Sequence, residues 1–435
     1  MEKHEESRTN LIMAGLIRWA LVLLALLLPF PGKTPVPFIW LAGLAWLAEL
    51  LISVSTQRGR KSFRERWQYN GKWYVVASFF VLICFYLIGL LWTDNALAAR
   101  FELEKKSMLL LFPLLVFTTA PGVFNKTLLR NLLYAFMAGL LVVTVYDLVI
   151  AWGNYQTTGH RAMLYYSRLA GNHHPAYLSL YILFALAGIG WLLTGGIPRP
   201  KKWQIATLTT LALWLLLFVF LLSARSGFIS LIVLVMMFLG RLLFTWPRRR
   251  WLPVVAVLCL LMVVMFKVFS APLAGRLSAL NHLWMSEEEY TQMENPSGVV
   301  IRMVSWRLAL EQIRETPLTG TGTGDYTDDT RSRIAEKGLE EMFNGFKNAH
   351  NQYLQTAVVL GIPGLIALLL WLFVPLRLKH ITQTPWLYHA FVALVALNLF
   401  TESMLEAQAG VLFIVFFHTL LYRLSITTQE RNHIV

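Results

Sequence analysis

Residues 203–246 read WQIATLTTLALWLLLFVFLL, then SARSG, then FISLIVLVMMFLGRLLFTW: two long apolar runs hinged on five small and polar residues. A helix of about 20 residues rises about 30 Å, the thickness of a bilayer's hydrocarbon core. Each run is therefore a membrane span, and the hinge is a turn at the membrane surface. Working outward, runs of the same kind fall near 11–31, 36–54, 73–93, 107–120, 131–152, 174–194, 203–222, 228–246, 251–270, 351–376, 386–404 and 407–425. The composition agrees: 57% hydrophobic, 14% charged, mean hydropathy +0.56, against about 25% charged in a soluble chain. A soluble enzyme and a single-span anchored domain are both excluded. The expectation is an all-α polytopic integral membrane protein with about 12 transmembrane helices.

The net charge of +14 does not point to nucleic acid, because the basic residues lie between spans. Segments on the side of the termini carry 21 Lys and Arg, the short loops on the other side seven. The positive-inside rule then places both termini in the cytoplasm. Arg58, Arg60, Lys61, Arg64, Arg66, Arg248, Arg249 and Arg250 read as orientation signals that also meet anionic lipid. Cys84 and Cys259 lie in apolar stretches and read as small core side chains, with no metal site expected. The run from Leu11 to Phe30 is too long for a signal-peptide core and is expected to remain as the first span.

More than 80 residues separate Lys267 from His350 on the outer face, and they hold 12 of the 24 acidic residues. Long connections are usually functional. Within this one, Val300, Met303, Val304, Leu308, Leu310 and Ile313 alternate with Arg302, Arg307 and Arg314, which predicts a helix over Val299–Thr316 ended by Pro317. The chain thus divides into spans 1–9 (1–270), a helical loop subdomain (271–350), and spans 10–12 with a tail (351–435).

Ionisable groups near membrane depth carry the functional expectation. Arg225 sits in the SARSG hinge, suited to fork onto a phosphate or to snorkel to water. Arg302 opens the loop helix with Trp306 one turn on, a pair that suits a sugar or an exposed helix face; Arg307 is a weaker candidate of the same kind. His350, in Asn348-Ala349-His350-Asn351-Gln352, can take a proton from a hydroxyl near neutral pH, with Asn351 as an orienting neighbour. His174, in His173-His174-Pro175, caps a helix or touches substrate. Glu402 and Glu406, four apart, would share a helical face if the helix continues; they suit pairing with Arg225 or Arg302, support of His350, or a plain salt bridge. Asp147 and Glu49 complete the set. The run Thr319-Gly320-Thr321-Gly322-Thr323-Gly324-Asp325 reads as a flexible turn rather than a nucleotide cradle, since it follows a helix on the outer face.

At these positions the sequence resembles the O-antigen ligase and polymerase family of bacterial envelope proteins. The resemblance rests on Ser223-Ala224-Arg225-Ser226-Gly227, on Arg302 with Trp306, on Pro317 and Gly320-Thr321-Gly322, and on His350-Asn351-Gln352-Tyr353-Leu354 with Gly361 and Gly364. It implies a GT-C-like inner-membrane glycosyltransferase with a large periplasmic loop between spans 9 and 10 and a periplasmic active site, needing neither metal nor nucleotide nor other cofactor. Arg225 and Arg302 would bind the pyrophosphate of an undecaprenyl-pyrophosphate glycan, and His350 would be the general base on a sugar hydroxyl of the lipid A core, with inversion at the anomeric carbon. Asn351, Trp306, His174, Arg307 and Glu406 would bind substrate. Membrane lipid is the remaining partner, nucleic acid is not one, and the oligomeric state is left open. An O-antigen polymerase would use the same donor, and a protein-glycosylating relative would carry a further soluble region. From another class, a polytopic transporter or glycan flippase would need polar groups lining both halves of the bundle; the absence of internal repeats and the confinement of polar groups to one face argue against it.

Overall fold

The computed structural model describes residues 2–32, 34–55, 66–245, 298–343, 348–377 and 385–426, with isolated residues between them. Among the described residues the regular elements are all helical. In chain order the principal helices are α1 (Glu2–Leu27), α2 (Val36–Ser55), α3 (Trp73–Ile88), α4 (Ala96–Lys106), α5 (Met108–Thr118), α6 (Lys126–Thr158), α7 (Pro175–Trp191), α8 (Lys202–Leu222), α9 (Arg225–Thr245), α10 (Gly298–Glu315), α11 (Tyr326–Glu336), α12 (Gln352–Phe373), α13 (Pro385–Thr401) and α14 (Gln408–Ile426).

Eight described helices are long and apolar enough to cross a membrane: α2, α3 with its 3-10 extension, α6, α7, α8, α9, α12 and α14; the apolar parts of α1 and α13 are shorter. The chain is an all-α multi-pass membrane protein. The span expected at 107–120 is corrected: α5 has 11 residues with Pro113 inside it, about 16 Å of rise against a core of about 30 Å. The expected span 251–270 lies almost wholly outside the described residues. So do loop residues 271–297 and the basic residues Arg58, Arg60, Lys61, Arg64, Arg248, Arg249 and Arg250.

Helix α14 is buried along nearly its whole length and is the axis of the bundle. Its Phe413 and Phe417 pack against Phe136, Phe184 and Phe391 at ring separations of 4.4–6.3 Å. Offset and edge-on aromatic pairs of this kind each add about 0.5–1.5 kcal/mol beyond area burial. His418 survives in this setting because both ring nitrogens are partnered, Nδ1 with Tyr388 Oη at 3.1 Å and Nε2 with Trp371 O at 3.0 Å.

Polar side chains gather at the two ends of the bundle. At one end Arg66 pairs with Glu49 at 2.7 Å and donates to Ser53 Oγ and Thr118 O. There Asn70 donates to Phe117 O and receives the Tyr422 hydroxyl on its own carbonyl, tying together the C-terminal ends of α2, α5 and α14. At the opposite end His173 Nε2 lies 2.8 Å from Pro29 O, and Asp147 Oδ2 lies 3.7 Å from His173 Nδ1.

The glycine-rich run departs from the flexible turn that its composition predicts. Helix α12 breaks at Gly361, whose φ of 69° is left-handed, with Pro363 just beyond. The break strips the Val358 and Val359 carbonyls of their helical donors, which nothing in lipid would replace. Thr321 N and Gly322 N fill those places at 2.8 and 3.0 Å, and Ile362 N donates to Pro317 O at 2.7 Å. Thr323 extends the seam to α3, its hydroxyl donating to Tyr86 O at 2.7 Å. The approach is so close that a Cβ on Gly320 would stand 2.5 Å from Val358 O. The glycines are there to let two backbones touch.

Candidate functional site

The site end of the bundle is built around one turn. Helix α13 stops at Thr401, and residues Met404–Glu406 form a 3-10 turn before α14. The helix does not continue through Glu402 and Glu406 as their spacing allowed. The turn is tied to the start of α12: Leu405 N donates to Gln352 Oε1 at 2.7 Å, and Ser403 Oγ receives Asn351 N at 3.1 Å. The two carboxylates take separate sets of partners.

Glu402, 7% exposed, holds two basic side chains. Its Oε1 pairs with Arg302 Nη2, and its Oε2 lies 3.3 Å from His350 Nδ1. Burial works to raise the Glu402 pKa, but the His350 hydrogen bond and the positive charges of Arg302, His174 and His350 more than offset it, leaving the carboxyl below its ordinary value. A depressed carboxylate stabilises the fold above its unfolded-state pKa, and that contribution disappears as pH falls through the folded-state value. Melting followed from pH 7 to pH 3 should therefore show a destabilising acid limb below about pH 4.5 that is shallower in Glu402→Gln. Equal acid limbs in the two proteins would remove this assignment.

His350 is positioned by strained backbone. Its φ of 50° is left-handed and unusual for a non-glycine residue, and its N–H donates to Asn348 Oδ1 at 3.0 Å. Asn351 then caps α12, its Oδ1 receiving Tyr353 N and Leu354 N at 2.9 and 3.1 Å. Such strain persists at sites that need a side chain aimed in one direction.

Arg302 and Trp306 lie one turn apart on α10, which covers Gly298–Glu315 as the periodicity predicts. Trp306 stands edge-on to Phe400 at 5.6 Å, two residues before Glu402. Arg302 Nε and Trp306 Nε1 are both buried and have no hydrogen-bond partner among the described residues. Two idle buried donors beside each other are costly without a ligand and suit an acceptor-rich one. Arg307, half-buried, falls about 140° round the helix from Arg302.

Arg225 begins α9, which runs antiparallel to α13. Trp386 Nε1 donates to Met237 O at 3.1 Å, and Asn398 Nδ2 to Ser230 Oγ at 3.0 Å. Extending that register five residues back from Ser230 and four on from Asn398 brings Arg225 to the same end of the pair as Glu402. His174 caps α7, its Nδ1 receiving Ala176 N at 3.4 Å, and its charge is felt by Glu402.

Glu406 lies on the other face of the turn. Its oxygens take Lys106 Nζ at 2.8 Å and Gln352 Nε2 at 3.0 Å. Burial would raise its pKa, but Lys106 and these hydrogen bonds hold it down. Lys106, Lys105, Glu102 and Tyr86, which join this face, were passed over in the sequence. The i, i+4 spacing of Glu102 and Lys106 in an outer segment was the available signal. Among the described residues no cluster of three or more His, Cys, Asp or Glu could hold a metal ion.

A protein-family model described as O-antigen ligase matches residues 210–369. This stretch of the chain is similar to the O-antigen ligase family. It contains Arg225, Arg302 and His350, so the resemblance read from those residues rests on the part of the chain that matches. A protein of Haemophilus influenzae, described as uncharacterized, is 26% identical over 157 residues, 35% of this chain. The chain spans 38% of that relative's length. The matched stretch runs from mid-α8 through the hinge at Arg225, the loop helices and most of α12, the elements that bring its basic side chains to one end of the bundle.

Proposed function

We propose that the protein is an inverting O-antigen ligase that moves a glycan from undecaprenyl pyrophosphate to a sugar hydroxyl of the lipid A core, at the periplasmic face of the bacterial inner membrane. The observation that carries this reading is that one carboxylate, Glu402, holds both His350 and Arg302. With Nδ1–H directed at Glu402, the lone pair on His350 Nε2 is left for the acceptor. The hydroxyl proton passes to Nε2 as its oxygen attacks the anomeric carbon from the face opposite the pyrophosphate. The C–O bond to phosphate breaks with its electron pair staying on the pyrophosphate, and configuration inverts. Glu402 stabilises the imidazolium formed. Arg302 and Arg225 receive the leaving pyrophosphate, and the idle donors on Arg302 and Trp306 suit its oxygens. His174, Asn351, Arg307 and Glu406 are assigned to binding or to holding the walls. The leaving group is stable as an anion, so no acid is required to protonate it and no nucleotide or metal is invoked.

The test is transfer by the purified protein from an undecaprenyl-pyrophosphate glycan to lipid A core, with EDTA and without nucleotide. Core-linked glycan is expected. Longer carrier-linked glycan with no core product would make the protein a polymerase, the second use of the same donor. Carrier translocation in proteoliposomes without transfer to either acceptor would overturn the enzymatic reading.

A further inference from the structure

Behind the turn that carries Glu402 lies a cavity of about 380 Å³, walled by α3, α4, the start of α11 and the start of α12. Its size falls within the range of small-molecule sites. Tyr86, Phe101 and Tyr326 give it aromatic walls, and Lys105, Lys106 and Asn348 give it donors. The cations are matched: Lys106 pairs with Glu102 and Glu406, and Lys105 with Glu102. The cavity's charges are therefore paired within its own walls. The Tyr86 hydroxyl, on a side chain 1% exposed, lines this space and has no hydrogen-bond partner among the described residues, although Thr356 is near. Aromatic faces with neutral polar groups fit the two sides of a sugar ring, apolar C–H and hydroxyl; they do not fit a pyrophosphate.

Asn348 ties this cavity to the base. It lines the cavity, and its Oδ1 fixes the His350 backbone at 3.0 Å. Arg302 and His350 meet the turn through Glu402, and the cavity meets it through Glu406. In an in-line displacement the leaving group and the attacking sugar must approach the anomeric carbon from opposite sides. We propose that this cavity is the acceptor subsite and binds a neutral sugar of the core next to the attacking hydroxyl. The proposal rests on the transfer reading above for the word acceptor, and on the cavity alone for the word sugar.

Two substitutions change the cavity without touching the reacting groups. Ala98→Trp fills it from α4, and Phe101→Ala removes an aromatic wall that is 61% exposed and so tolerates truncation. Each is expected to raise the acceptor KM about tenfold, the loss of roughly one good contact, while the donor KM and kcat stay within about twofold of wild type. A rise in donor KM, or an unchanged acceptor KM in both variants, would overturn the assignment. Calorimetric binding of delipidated core oligosaccharide gives a readout that does not need transfer: wild type should bind, and both variants should bind about tenfold more weakly. Binding with no transfer would sink the ligase reading and leave the cavity standing; transfer with unaltered oligosaccharide binding in both variants would do the reverse.

Discussion

Replacing His350 with alanine is expected to lower glycan transfer by about 10²–10⁴-fold, the usual contribution of a positioned general base, and to leave donor affinity in place. The separation follows from the two halves of the Glu402 cluster. His350 meets the carboxylate through Nδ1 at 3.3 Å, so its removal deletes the proton acceptor but leaves Arg302 paired to the other oxygen. Arg302→Ala should behave oppositely. It removes the guanidinium and leaves Glu402 with His350 alone, so the donor KM rises along with the loss in rate. Because the pyrophosphate gains charge as the bond breaks, that rate loss should approach the cost of removing one oxyanion donor, roughly 10²–10³-fold. Steady-state kinetics with donor and acceptor varied separately decide the matter. A His350→Ala enzyme with wild-type kcat would end the role proposed for that residue.

The largest effect on stability is expected from Lys106→Met. Lys106 is 1% exposed, stands 2.8 Å from Glu406 and 2.6 Å from Glu102, and lies over the Tyr86 ring at 4.8 Å. Burial works against its charge, but Glu406, Tyr86 and Glu102 more than compensate, and the ammonium remains protonated. Methionine keeps most of the volume and strands the buried Glu406 carboxylate. Breaking a buried pair from one side typically costs about 3–5 kcal/mol, far more than the pair contributes against an apolar replacement. The double variant Lys106→Met, Glu406→Leu should therefore recover much of the loss, which an effect of volume alone would not produce. Thermal melting in detergent, with exposed Lys126→Met as control, measures it; a melting point for Lys106→Met equal to the control's would refute the account.

The sequence made the bundle readable because bilayer thickness imposes a length and an apolarity that survive any tertiary arrangement. Helix α10 was equally readable, since its apolar side follows the helical period and Pro317 ends it. Helix α5 was not, because 14 apolar residues resemble a short span until the proline and the flanking polar helix α4 are seen together. The pairing of Arg302, His350 and Glu402 joins residues up to 100 positions apart, and spacing along a chain carries no such information. Glu406 shows the same limit in reverse. Four residues from Glu402, it would share its face in a continuous helix, but the helix ends at Thr401 and Glu406 pairs with Lys106 and Gln352 instead.

The seam between the glycine run and α12 has a consequence for biogenesis. Helices enter a membrane in chain order, yet the Val358 and Val359 carbonyls find their partners only when the preceding loop folds back onto the broken helix. The same loop residues grip Tyr86 O and Gly89 O, at the C-terminal end of the third helix. An early span and a late one are thus locked by a single stretch of extramembrane backbone, which cannot close until both have been inserted. Until then α12 carries an open break among lipid tails, so the last act of assembly and the completion of the end that carries the candidate site are the same event.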